Sequence, residues 1–162
     1  MATNTNSPLP YSRGTVHIHN KNPFDPPEIH VNPFNIERDL LTQITMTRLI
    51  RRLFRTKPLS DLSTGESIPG FSRVPDDAQD GSDANWRSWI WENFKAVAHP
   101  VGTCAMMRRE LGGVVDGRLR LYDSENVRIV DASVMPTQVS AHLSTSLYAI
   151  AEKVADMIKN KV

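Results

Sequence analysis

His99 and His142 are the side chains of this sequence best framed to move a proton. His99 stands in Ala-His-Pro-Val-Gly-Thr-Cys-Ala-Met-Met and His142 in Met-Pro-Thr-Gln-Val-Ser-Ala-His. An imidazole exchanges protons near neutral pH, so one held in a stiff segment is a candidate general base or hydrogen-bond donor. Pro100 biases His99 away from helix, and Gly102 permits a tight turn or close approach of a ligand. His142 is expected at the mouth of the last helix. There the first-turn N–H groups of about Leu143, Ser144 and Thr145 lack intrahelical partners and the dipole is positive. Taken singly, each histidine also has a structural explanation, as a residue before proline and as a helix-end packing residue. If both serve one substrate oxygen, their rings must lie within ~8 Å of each other on one face.

Between them runs Val127-Arg-Ile-Val-Asp-Ala-Ser133. Asp131-Ala132-Ser133 follows the end of a strand and precedes Pro136. Small residues there let the backbone approach a cofactor closely, although a plain strand-end turn would use the same residues.

The elements that must position these groups follow from periodicity. Residues 1–10 are polar and proline-bearing, and are expected to be loose. Ser12–His19 alternates, with Val16 and Ile18 on one face and Thr15, His17 and His19 on the other, which predicts a half-buried strand. Pro23, Pro26, Pro27 and Pro33 predict an extended connection skirting the sheet. Asn35 is the expected N-cap of a long helix ending before Pro58. Ile36, Leu40, Leu41, Ile44, Leu49, Ile50, Leu53 and Phe54 lie on its core side, and Arg51, Arg52 and Arg55 form a solvated end. Residues 60–84 read as a long loop. A short helix from about Asn85 to Lys95 offers Trp86, Trp89, Ile90 and Phe94 as core anchors. Arg118–Tyr122 and Val127–Val130 read as strands. Leu143, Leu147, Ile150, Ala151, Val154 and Ile158 recur at helical spacing, predicting a closing helix of about five turns. The fold class is α+β.

Composition narrows the function. With 40% hydrophobic and 23% charged residues, the 162-residue chain can build a core. A net charge of +1 offers no global attraction to nucleic acid or an anionic membrane, and neither is expected as a partner. No apolar run approaches the ~20 residues of a bilayer span. Met1–Asn6 has no apolar core of the kind a signal peptide needs, and no N-x-[ST] sequon occurs. The one cysteine, Cys104, excludes an internal disulfide and is expected to be a small core residue. His17 and His19 form an H-x-H pair that could hold zinc. With no further ligand at suitable spacing, a solvent-facing strand pair is expected and no metal.

The combination of H-P-V-G-T-C around His99, V-D-A-S-x-x-P at 130–136 and the Pro-Thr-Gln lead into His142 resembles the C-terminal active-site segment of the glucose-methanol-choline (GMC) flavoprotein oxidoreductases. Tyr11-Ser-Arg-Gly-Thr-Val16, Pro27, Asn32-Pro-Phe34 and Pro69-Gly70 resemble further stretches of that family, so the likeness runs over about residues 11–161. The resemblance implies a substrate-domain portion with part of an antiparallel sheet and covering helices. Residues 127–162 would return to a flavin-binding domain. It implies FAD as cofactor and a small alcohol as substrate. His99 matches the base that takes the alcohol proton while hydride leaves for the flavin. His142 matches the second member, His in glucose and aryl-alcohol oxidases and Asn in choline oxidase. Asp131 and Ala132 match positions contacting the phosphate and ribityl region. Leu143 and Ser144 match positions whose backbone lies at the pyrimidine end of the flavin ring, where helix-end amides would stabilise developing negative charge.

None of the eight glycines forms a G-x-G-x-x-G run. The ADP half of FAD therefore needs a dinucleotide-binding half supplied in cis or in trans, and the chain alone is not expected to turn over. Two other readings remain open: a truncated, non-catalytic fragment that binds a partner, and a hydroxynitrile lyase on the same scaffold.

Overall fold

A computed structural model describes residues 9–77 and 79–160. The expectation of a loose segment at 1–10 falls almost entirely outside the described residues. The chain divides into two compact units. Among the described residues, one comprises Tyr11–Arg13 and 32–97, and the other 9–10, Gly14–Val31 and 98–160.

The first unit is built on helix α1, Glu37–Phe54. Asn35 is not its N-cap. Ile36 takes that position in extended conformation with no side-chain cap of its own, and the Ser12 hydroxyl accepts the Ile36 N–H at 3.2 Å. Leu40 and Ile44 are buried as expected, whereas Leu41, Leu49 and Leu53 are exposed. The buried stripe is completed instead by Asp39 and Arg51. Helix α2, Asp83–Asn93, starts two residues earlier than the apolar pattern suggests. The Ser82 hydroxyl accepts the Asn85 N–H there and satisfies one of the helix's open donors. Trp86 and Ile90 of α2 pack with Leu40, Ile44 and Val74, and Trp89 and Phe34 close the cluster. Phe94 is exposed rather than a core anchor, its ring edge-on to Phe34.

Arg51 overturns the reading of a solvated helix end. It is 4% exposed. Its guanidinium donates to both Glu66 carboxylate oxygens at 2.7 and 2.5 Å, to the Asp80 carbonyl at 2.8 Å and to the Val74 carbonyl at 3.1 Å. It also lies over the Trp86 ring, 4.6 Å from the centroid. Arg52 and Arg55 pair with the two Asp80 oxygens at 2.5 and 2.9 Å. The segment 60–84 is therefore fastened to α1 along much of its length, with Val74 fully buried. Periodicity could not reveal this, because the partners are carbonyls and carboxylates 15 to 29 residues away.

Asp39 anchors the start of the Ser-Arg-Gly stretch. Its carboxylate accepts the Tyr11 and Ser12 N–H groups and the Ser12 hydroxyl, at 2.5 to 3.1 Å. Burial alone would raise its pKa. The hydrogen bonds from Ser12 and Tyr11, with the nearby Arg13 charge, outweigh burial and hold it below the usual carboxylate value of 3.8. A depressed folded-state pKa stabilises the fold above the unfolded value, and that contribution is lost as pH falls through the folded value. Asp39→Asn should cost about 2–3 kcal/mol at pH 7, since an amide cannot accept all these bonds. In urea titrations, the gap between wild type and Asp39→Asn should narrow below about pH 4. A gap constant with pH would contradict the assignment.

The second unit contains a two-stranded antiparallel ribbon, β1 (Thr15–His17) and β2 (Glu28–His30), with Val16 opposite Ile29 and His17 opposite Glu28. Two expectations change here. The Pro23–Pro33 stretch turns back and supplies β2, because its prolines flank Glu28–His30 and leave those N–H groups intact. The ribbon is also exposed on both faces, not half-buried. Val16 is exposed and Ile18 is 85% exposed, since two strands alone cannot bury a face. Gly14 is required by close packing, because a Cβ there would sit 2.3 Å from the His30 carbonyl oxygen.

The strands expected at Arg118–Tyr122 and Val127–Val130 form only isolated bridges, Val115 to Leu121 and Arg120 to Arg128. Leu119 adopts a left-handed backbone (φ 59°), which breaks the alternation a ladder needs. Val115, Leu119, Val134 and Val154 form the core of this unit, with Ile129 and Ile150 packed against it. Helix α3, Ser144–Lys159, is somewhat shorter than the five turns expected, and of its expected stripe Ala151 and Ile158 are exposed. Cys104 is partly exposed, not a core residue. No helix among the described residues is long and apolar enough to cross a membrane.

Candidate active site

His99 and His142 both belong to the second unit, and two backbone rungs align the segments that carry them. The Cys104 N–H donates to the Ser133 carbonyl at 3.0 Å and the Met106 N–H to that of Val134 at 2.8 Å. Gly102 is left-handed (φ 89°), and a Cβ there would lie 3.5 Å from the Met135 carbonyl oxygen. Beyond Met135 the chain runs to His142, just before α3.

The two imidazoles meet. His142 Nδ1 lies 3.3 Å from His99 Nε2, the ring centroids are 5.0 Å apart, and the planes are nearly perpendicular at 88°. A hydrogen bond across this gap needs one nitrogen as donor and the other as acceptor, which the ring tautomers set. His99 is half-buried and His142 exposed, which leaves the pair reachable from solvent. A single oxygen about 2.8 Å from each nitrogen would form a triangle on that 3.3 Å base.

Asp131, Ala132 and Ser144 line one groove of about 410 Å³, walled by Leu147, Tyr148 and Ile150. Asp131 Oδ1 accepts the Ser133 N–H at 2.7 Å and so caps the short 3-10 turn Ala132–Val134. Leu143 is placed differently from these three: its side chain is buried, and it forms the N-cap of α3 without any side-chain cap. Beside Ala132, the Ser133 hydroxyl is buried with no hydrogen-bond partner. Apolar walls, a carboxylate and an uncapped helix start fit a planar, partly polar group such as part of a flavin dinucleotide.

Two residues of this region had no role in the sequence reading. Gln138 donates its side-chain amide to the His99 carbonyl, and Tyr148 stands exposed on the groove. Gln138 was visible only as part of the Pro-Thr-Gln lead, while Tyr148 carried no signal beyond its helical position. On the ribbon, Glu28 supplies the carboxylate neighbour that the H-x-H reading lacked. It stands opposite His17 but binds His30 Nε2 at 2.8 Å. Among the described residues no group of three or more His, Cys, Asp or Glu could hold a metal ion.

Similarity to known proteins extends over nearly the whole chain. A glucose oxidase-like protein of Humicola fuscoatra is 39% identical over 151 residues, covering 93% of this chain and 25% of that protein. A glucose oxidase of Aspergillus carbonarius is 39% identical over 155 residues, covering 93% and 24%. An FAD-dependent oxidoreductase structure from Chaetomium thermophilum superposes with a TM-score of 0.83 at 31% identity, covering 94% of this chain and 25% of its own. The chain thus spans about a quarter of the length of the relatives it matches. Residues 10–151 match the profile of the GMC oxidoreductase C-terminal domain, and the chain belongs to the GMC oxidoreductase family.

Proposed function

We propose that residues 11–162 are the catalytic and substrate-binding portion of an FAD-dependent enzyme that oxidises CH–OH groups. The observation that carries this reading is the 3.3 Å approach of His142 Nδ1 to His99 Nε2. His99 takes the proton of the alcohol at Nε2, and His142 holds the same oxygen through Nδ1. As substrate enters, the bond between the two rings gives way to one bond from each nitrogen to the alcohol oxygen, while the rungs from Cys104 and Met106 keep the two segments in register. Asp131, Ala132, Ser144 and the backbone at Leu143 hold the cofactor. FAD, when bound, supplies the acceptor for the carbon-bound hydrogen.

The partner is a dinucleotide-binding half, in cis or in trans. The apolar ribbon face of Val16, Ile18, Ile29 and Val31, with Phe24 92% exposed, supports contact with further protein surface. By itself the chain is expected to purify colourless and to bind FAD weakly, as read by absorbance.

The test supplies the flavin half, fused or added, and mixes the complex anaerobically with small alcohols. Bleaching of the flavin supports the proposal. Cleavage of a cyanohydrin without bleaching would transfer the site to lyase chemistry, and neither reaction would leave a non-catalytic domain.

A further inference from the structure

We propose that Gln138 is a positioning residue that sets the His99 backbone against the segment leading to His142. The inference rests on the reading of the two histidines as the reacting pair. His99 follows Ala98, whose backbone is left-handed (φ 57°), a region that residues with a Cβ rarely occupy. It precedes Pro100, which has no N–H to join a ladder. A histidine in such a frame is aimed by its backbone, and that backbone needs an external hold to keep Ala98 in its unfavourable conformation.

Gln138 supplies that hold. Its amide donates to the His99 carbonyl from a half-buried position four residues before His142. The rungs from Cys104 and Met106 to Ser133 and Val134 tie the two segments at one end. The Gln138 amide ties them at the other, where the histidines stand. Only a donor can do this, because the partner is a carbonyl oxygen.

The donor requirement separates positioning from packing. Gln138→Glu keeps the shape but loses the N–H groups, and Gln138→Met keeps much of the volume without polarity. The full chain, labelled with 15N-histidine, should show by NMR one imidazole nitrogen held as donor and one as acceptor across the pair. In both variants that pattern should collapse to that of independently exchanging rings, with the thermal midpoint close to wild type. In the flavin-loaded complex, both should slow flavin reduction roughly 10- to 100-fold, the scale expected for misplacing a reacting group by about an ångström.

Retention of the wild-type nitrogen pattern by Gln138→Glu and Gln138→Met would overturn the proposal. Should Gln138→Met fail to fold, the isosteric Gln138→Glu decides alone. Loss of the pattern in a complex whose flavin reduction is insensitive to His99→Ala would uphold the tether and refute the catalytic reading, so the two failures are distinguishable.

Discussion

In a flavin-loaded complex containing this chain, His99→Ala should slow reduction of the flavin by alcohol roughly 10²- to 10⁴-fold, the range for loss of a general base. The proton of the alcohol would then have to leave to water from a site that no longer orients it. His142→Ala should also impair reduction, because the oxygen loses one of the two nitrogens that are 3.3 Å apart. His142→Asn should retain more activity than His142→Ala, since an amide can still hydrogen-bond that oxygen. His17→Ala and His19→Ala, on the exposed ribbon, should leave the rate nearly unchanged. Anaerobic stopped-flow bleaching separates this step from reoxidation. Flavin reduction at the wild-type rate in His99→Ala would remove the base assignment.

The second large effect is on stability. Arg51→Ala should destabilise the first unit by about 3–5 kcal/mol, the scale for breaking a buried ion pair by removing one partner. The Glu66 carboxylate would lose both of its guanidinium bonds, and the Asp80 and Val74 carbonyls would lose a donor. Arg51→Lys should recover little of this, because an ammonium cannot reproduce the planar fork that reaches four acceptors and stacks on Trp86. Arg52→Ala is the control. Its side chain is 63% exposed and Asp80 keeps Arg55, so its cost should stay below about 1 kcal/mol. Chemical denaturation followed by tryptophan fluorescence reads both, as Trp86 sits in this core. Equal, small losses for Arg51→Ala and Arg52→Ala would show that the buried network contributes little.

The sequence by itself determined the family and the main helices, and it singled out the two histidines. Each of these is a local property: motifs of a few residues, or apolar spacing such as Leu40 to Ile44 that repeats with the helix turn. It also marked Asp131, Ala132 and Ser144, which share a groove in the folded chain. Only the tertiary structure decided that Arg51 is buried while Arg52 is not, because their one-residue offset matters only relative to Val74, Asp80 and Glu66. Only it replaced two expected strands with isolated bridges, through the left-handed backbone at Leu119, and turned the proline-rich stretch into β2. It also decided that residues 43 apart in the chain stand ring to ring. The Cys104 and Met106 rungs and the Gln138 amide join the same two segments, through bonds whose two ends lie far apart in sequence. Local patterns state which residue is polar or apolar; they carry no record of which distant carbonyl will satisfy it.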